Sequence, residues 1–286
     1  MKTPAKMCTD EGNTMGSIRR PAVAGRYPQA AFYPSDPGEL RDVVDALLAR
    51  SRASARSAAP EGDPRPKALI APHAGYQYSG GVAASAYARL SPGGTRRVLL
   101  LGPAHRVPVR ALAAPTAVAF ATPLGLVPLD RVSLAGLLRL PQVERSDPAH
   151  ELEHSLEVQL PFLQRVLGEF VLVPLVVGDA LPEQVDEVIE ALWDGSETLV
   201  VVSSDLSHYH DFATARRMDA ETTRAIEALE PDALDYESAC GRVPVQGLLL
   251  AARRHALRAR AVDVRNSGET AGPQDRVVGY GAYVLA

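Results

Sequence analysis

Apolar residues along this chain follow two alternating rhythms. Short apolar runs rich in β-branched residues occupy 68–71, 97–101, 170–177 and 199–202. Runs of that kind fit strands buried on both faces of a parallel sheet. Between them, apolar positions recur at helical spacing, first at Leu40, Val43, Val44, Leu47 and Leu48. The same spacing predicts helices from Ser79-Gly-Gly to about Leu90, then over 155–167, 183–193, 213–229 and 240–255. Two further runs, 261–266 and 277–285, close the chain as strands. Strands separated by helical patterns predict an α/β fold with a mostly parallel central sheet flanked by helices, as a single domain over residues 18–286.

The remaining segments punctuate this pattern. Residues 1–17, which include Cys8, are polar and aperiodic and predict a disordered leader. Arg19–Pro37 is a loop rich in Pro, Gly and aromatic residues, and Ser35-Asp-Pro-Gly-Glu39 starts a helix with acidic residues at its positive end. Ser51–Pro66 has linker composition. Residues 116–121 and 125–128 form a hairpin, Leu134–Leu140 a short helix, and Asp147–His154 a polar loop.

Composition narrows the class without naming a function. The 286 residues are 46% hydrophobic and carry a net charge of −4, enough apolar material for a large core. That charge supplies no electrostatic reason to expect nucleic acid or an anionic membrane. No stretch approaches the roughly 20 apolar residues of a membrane span, and the start lacks a signal peptide's apolar segment. Two distant cysteines, Cys8 and Cys240, fit a reducing cytoplasm better than a disulfide.

The candidate chemistry sits where apolar runs turn polar. Run 68–71 leads to His73, run 97–101 to His105, and run 199–202 to Ser203-Ser-Asp-Leu-Ser-His-Tyr-His210. Ligands of open α/β sheets bind outside the carboxyl ends of strands. Neighbouring parallel strands lie about 4.8 Å apart, so His73 and His105 can share one ligand if their strands are adjacent. Asp205 and His208, three apart, share one side of a turn, either as ligand or general base with an orienting group, or as a cap beside a surface imidazole. Ser203, Ser204 and Ser207 read as turn chemistry before nucleophiles.

Cys240 precedes Gly241 at a helix start, where the dipole favours the thiolate, a nucleophile and soft ligand; the alternative is a small buried hydrophobe. Arg242 would keep that place electropositive. His154 and Glu157 are a second pair three apart, as ligands or as a helix cap. Tyr76, Tyr78 and Tyr209 are candidate pocket walls; His150, His210 and His255 are assigned to the surface.

These motifs, taken together, resemble the Memo family. They are Pro-Ala-Val-Ala-Gly (21–25), Phe-Tyr-Pro-Ser-Asp-Pro (32–37), Pro-His-Ala-Gly-Tyr (72–76), Gly-Pro-Ala-His (102–105) and Glu-His-Ser-Leu-Glu with Leu-Pro-Phe (153–162). Ser-Ser-Asp-Leu-Ser-His-Tyr (203–209), Cys-Gly-Arg-Val-Pro (240–244) and Val-Gly-Tyr-Gly-Ala (278–282) complete the set. One departure is visible: Gly25-Arg-Tyr-Pro-Gln-Ala-Ala precedes Phe32-Tyr-Pro, where the family runs Gly-Arg-Phe-Tyr-Pro.

The resemblance implies a fold like the LigB-type class III extradiol dioxygenases. It implies a metal held by His73, His105 and Cys240, with Asp205 and His208 as catalytic groups lining the site. Thiolate in place of the carboxylate of oxygen-activating iron enzymes points to iron, with copper second and zinc less favoured, and speaks against aromatic ring cleavage. Prokaryotic members are known as AmmeMemoRadiSam system protein B, which implies radical SAM and AMMECR-type partners and a small-molecule or peptide substrate. Eukaryotic members are described as phosphopeptide-binding mediators of cell motility, which implies a binding module as the rival reading.

Overall fold

The structure, a computed structural model, describes residues 17–19, 24–25, 32–56, 65–193, 195 and 197–286. Residues 1–16 of the expected leader, with Cys8, and the departure at residues 26–31 lie outside the described residues.

The apolar runs become one nine-stranded sheet. Its strands are β1 (Ala68–Ala71), β2 (Arg97–Pro103), β3 (Leu112–Ala114), β4 (Val143–Arg145) and β5 (Val171–Val177). They continue with β6 (Thr198–Ser203), β7 (Asp205–His210), β8 (Ala259–Asn266) and β9 (Val277–Leu285). Four parallel strands in the order β1–β6–β2–β5 form the centre. Residues 98–101 and 199–202 are buried throughout, as strands covered on both faces must be.

The periphery departs from the parallel pattern. β3 runs antiparallel to β5, β9 antiparallel to β1, and both β7 and β8 antiparallel to β9. Helices α1 (Pro37–Arg56), α2 (Gly81–Tyr87) and α3 (Leu160–Leu167) pack together, with α2 also against β1. Helices α4 (Pro182–Ala191) and α6 (Arg242–Arg254) form a second pair, and α5 (Phe212–Glu227) covers β7, β8 and β9. The predicted hairpin is present at Ala119–Thr122 and Gly125–Pro128. Among the described residues, no helix is long and apolar enough to cross a membrane.

Several boundaries differ from expectation for local reasons. The helix expected over 155–167 is two, His154–Glu157 and α3, and Pro161 opens the second, where its missing N–H costs nothing. The expected polar loop contains a helix at Asp147–Glu151, capped by Ser146. α1 continues to Arg56, into the stretch read as a linker. The short helix lies at Arg131–Leu137 because Asp130 accepts from the Ser133 N–H and fixes its start. A single π-helical turn, Tyr76–Gly80, precedes α2.

His150 is a correction of a different kind. It is buried rather than on the surface: its Nε2–H donates to the Ala113 carbonyl at 2.9 Å. Burial lowers its pKa to about 4. As pH falls from about 6.5 towards 4, the unfolded chain therefore takes up this proton first, and stability is lost across that window by about 3 kcal/mol. His150→Gln, which can still donate to Ala113, is expected to flatten that loss in urea titrations at pH 7 and pH 4.5. Parallel curves for the two proteins would refute it. His255 is also less exposed than expected, stacked on Trp193 at 4.1 Å and bonded to Glu190 at 2.8 Å.

Candidate metal centre

His73, His105 and Cys240 each offer a donor atom within 4.8 Å of the others. The two histidines follow β1 and β2, which are not adjacent, because β6 runs between them. Strand adjacency therefore does not bring the histidines together; the loops do, with the two rings at 5.1 Å, edge to face. Cys240 arrives from the start of α6, and its Sγ lies 3.3 Å from His73 Nε2. Gly241 makes that approach possible: a Cβ there would meet Ser203 O and Ser204 Cβ, each at 2.7 Å. The Gly241 N–H donates to Ser204 Oγ, and the Asp205 N–H to Cys240 Sγ.

The hydrogen bonds fix which ring nitrogen is free. Ser203 Oγ donates to Ser155 O at 2.6 Å and accepts from Gln159 Nε2 at 2.8 Å. Its own proton being committed, it accepts from His73 Nδ1–H at 2.9 Å, which leaves Nε2 with the lone pair. Glu153 does the same for His105: Oε1 accepts from Nδ1–H at 2.9 Å and Oε2 from the backbone N–H at 2.7 Å. Carboxylate and hydroxyl partners of this kind hold metal-ligating imidazoles in one tautomer and orientation.

Burial controls the charges here. Desolvation, reinforced by His105, holds His73 well below the usual histidine range, and with His73 lowers His154 to about 3. Burial would raise the Glu153 carboxyl, but the bonds from His105 and Ser155 outweigh it and lower it to about 2. The thiol of Cys240 is pushed up by burial and then by the Asp205 carboxylate, contrary to the lowering expected of a helix start. α6 begins only at Arg242, so the dipole is weaker at Cys240 than its desolvation.

Asp205 and His208 lie on β7, an extended strand rather than a turn. Residues three apart on a regular strand face opposite ways; register shifts between 205 and 208, and between 208 and 210, let both line one cavity. Asp205 Oδ1 accepts from the His73 backbone N–H at 2.8 Å and so anchors that loop. Burial raises its pKa. The cavity, about 1110 Å³, is also lined by Tyr78, Tyr209, Tyr280 and Arg242. Tyr76 is not a wall: it is buried, donating to Val158 O at 2.7 Å. Ser203 and Ser204 are fully buried and act as hydrogen-bonding supports.

The pair His154 and Glu157 separates. His154 turns to the site, stacked on His105 at 4.7 Å and edge-on to His73 at 5.5 Å. Glu157 turns away, accepting from Arg19 Nη1 and the Tyr33 hydroxyl, both at 2.5 Å. Glu153 and Gln159 were not legible as site residues; their only signal is membership of the run around Glu-His-Ser-Leu-Glu.

Two imidazoles and a thiol suit a borderline or soft transition metal. At ordinary bond lengths, tetrahedral sulfur and nitrogen ligands of one ion lie about 3.6 Å apart. The 3.3 Å between Cys240 and His73 is close to that separation, so this pair fits a metal, with a donor of His105 within 4.8 Å of both.

The family described as Memo-like protein matches residues 19–284. A MEMO1 family protein of Aquifex aeolicus is 36% identical, over 92% of this chain and 97% of its own. One from Methanopyrus kandleri is 37% identical over 93% of this chain and 98% of its own. A third, from Methanosarcina barkeri, is 34% identical over 94% and 100%. With matches of this extent on both sides, the chain belongs to the Memo family.

Proposed function

We propose that this protein binds one transition metal through His73, His105 and Cys240 and uses it in redox chemistry on a small-molecule or peptide substrate, with iron first, copper second and zinc less favoured. The supporting observation is the convergence of three donors within 4.8 Å at the floor of one cavity. Bound there, the metal would supply electron transfer and polarisation of a substrate oxygen. The chain's own groups do the rest. Ser203 and Glu153 hold the two imidazoles with Nε2 available. His208, on the cavity wall, moves a proton to or from the substrate, while Asp205 anchors the His73 loop. A fold consistent with the LigB type, and partners of radical SAM and AMMECR type in the cytoplasm, belong to this reading.

Protein purified without chelator is expected to carry near-stoichiometric iron or copper by elemental analysis, and to lose it in Cys240→Ser and His73→Ala. The exposed Tyr209 and Tyr236 at the cavity rim favour one rival, a metal-independent peptide-binding module. Little metal, with peptide affinity unchanged in the same variants, would select that rival. Zinc alone would point to hydrolysis by a metal-bound water.

A further inference from the structure

A second cavity, about 370 Å³, opens between α5 and β8 and shares no lining residue with the first. That volume is at the lower end for small-molecule sites. Its floor holds two buried polar side chains, Asn266 at 0% exposure and Asp219 at 3%. Asn266 Nδ2 has no hydrogen-bond partner among the described residues. Asp219 Oδ1 accepts from the Ser207 N–H at 3.1 Å. The carboxyl lies over Gly279, where a Cβ would come within 2.2 and 2.4 Å of its two oxygens, so a side chain on β9 would expel it.

The rim has the opposite sign. Arg216 and Arg224, two turns apart on α5, and Arg265 on β8 stand there against one carboxylate, Glu269. Arg265 is held by Asp263 through two bonds, at 3.0 and 2.7 Å. Glu269 accepts from the Asn266 backbone N–H at 2.9 Å. The cavity thus combines guanidinium groups, a buried amide donor in need of an acceptor, and a carboxyl group.

Guanidinium groups and an amide N–H call for an oxyanion. A carboxyl among them repels a fully ionised oxyanion but welcomes one that brings a proton of its own. A phosphate group has its second ionisation near 6 and so still carries such a proton at about pH 6; sulfate does not. We propose that this cavity binds a phosphate group, as the free ion or as a small phosphomonoester. Arg216, Arg224 and Asn266 Nδ2 donate to its oxygens, and Asp219 shares its proton. Burial raises Asp219 to about 6, which matches it to phosphate for that sharing.

Calorimetric titration of the full chain with inorganic phosphate and with sulfate, at fixed ionic strength and pH 6, tests this. Phosphate is expected to bind roughly tenfold or more tightly than sulfate, one charge-assisted hydrogen bond's worth. The double variant Arg216→Gln/Arg224→Gln, altered only at the exposed rim, is expected to weaken phosphate by a similar factor. Asp219→Asn keeps the shape and the bond to Ser207 but is expected to bring phosphate and sulfate close to equality. Chelator treatment is expected to change nothing, which separates this cavity from the metal centre. Glycerol 3-phosphate binding more tightly than phosphate would assign the monoester; weaker binding would assign the free ion. Equal affinity for phosphate and sulfate in the unaltered chain, no effect of the double variant, or loss of binding on chelation would each overturn the proposal.

Discussion

Glu157→Ala is expected to lower stability by about 3–5 kcal/mol, the cost of breaking a buried ion pair from one side. The Glu157 side chain is 0% exposed and that of its partner, Arg19, 8%. Removing the carboxylate leaves the Arg19 guanidinium, among the described residues, with carbonyl acceptors, His150 O at 2.7 Å and Glu153 O at 2.9 Å. It also leaves the buried Tyr33 hydroxyl without the oxygen it donates to; burial and that carboxylate together hold Tyr33 in its protonated, donating form. Urea denaturation of the two proteins measures the difference. Glu157→Gln, which keeps acceptance from one partner, is expected to lose less. A loss under about 1 kcal/mol for the alanine variant would mean that solvent reaches Arg19 and replaces the pair.

Glu153→Ala is expected to weaken metal binding by about 10- to 100-fold, the range found when a partner of a ligating histidine is removed. Three donors converge on this carboxylate: the His105 backbone N–H, His105 Nδ1–H and the Ser155 N–H at 2.9 Å. Without it, nothing commits the His105 proton to Nδ1, and the ring is free to turn Nε2 away from His73 and Cys240. Competition with a chromophoric chelator reads the affinity. Circular dichroism and the denaturation midpoint read the fold, so that misfolding is not mistaken for a lost ligand. Glu153→Gln is expected to fall between, since one oxygen remains for either the ring or the backbone. Unchanged affinity in a folded Glu153→Ala protein would mean that stacking on His154 suffices to orient His105.

The features legible beforehand were those with a local cause. Uninterrupted apolar runs such as Leu99-Leu-Leu101 announce two-sided burial, and the polar residues that follow them announce a site. Strand direction at the periphery was not legible, because β9 is buried like the parallel strands it joins. The same limit applies to single side chains. His150 and His154 both sit in a polar-looking stretch, yet one bonds Ala113 in the interior and the other faces His73. Cys240 shows a local rule losing to a tertiary one, since desolvation outweighs a helix terminus.

By itself the sequence determined the alternation of strands and helices, the family, and the residue types available for chemistry, because each depends on neighbours within a few positions. Only the tertiary structure decided that β6 separates the two histidine-bearing strands, that Glu153 and Ser203 orient the imidazoles, and that Asn266 and Asp219 share a second cavity. Those outcomes depend on contacts between residues as far apart as His73 and Cys240, 167 positions along the chain. Proximity of that kind is set by how loops and helices pack around the sheet, and no local spacing encodes it.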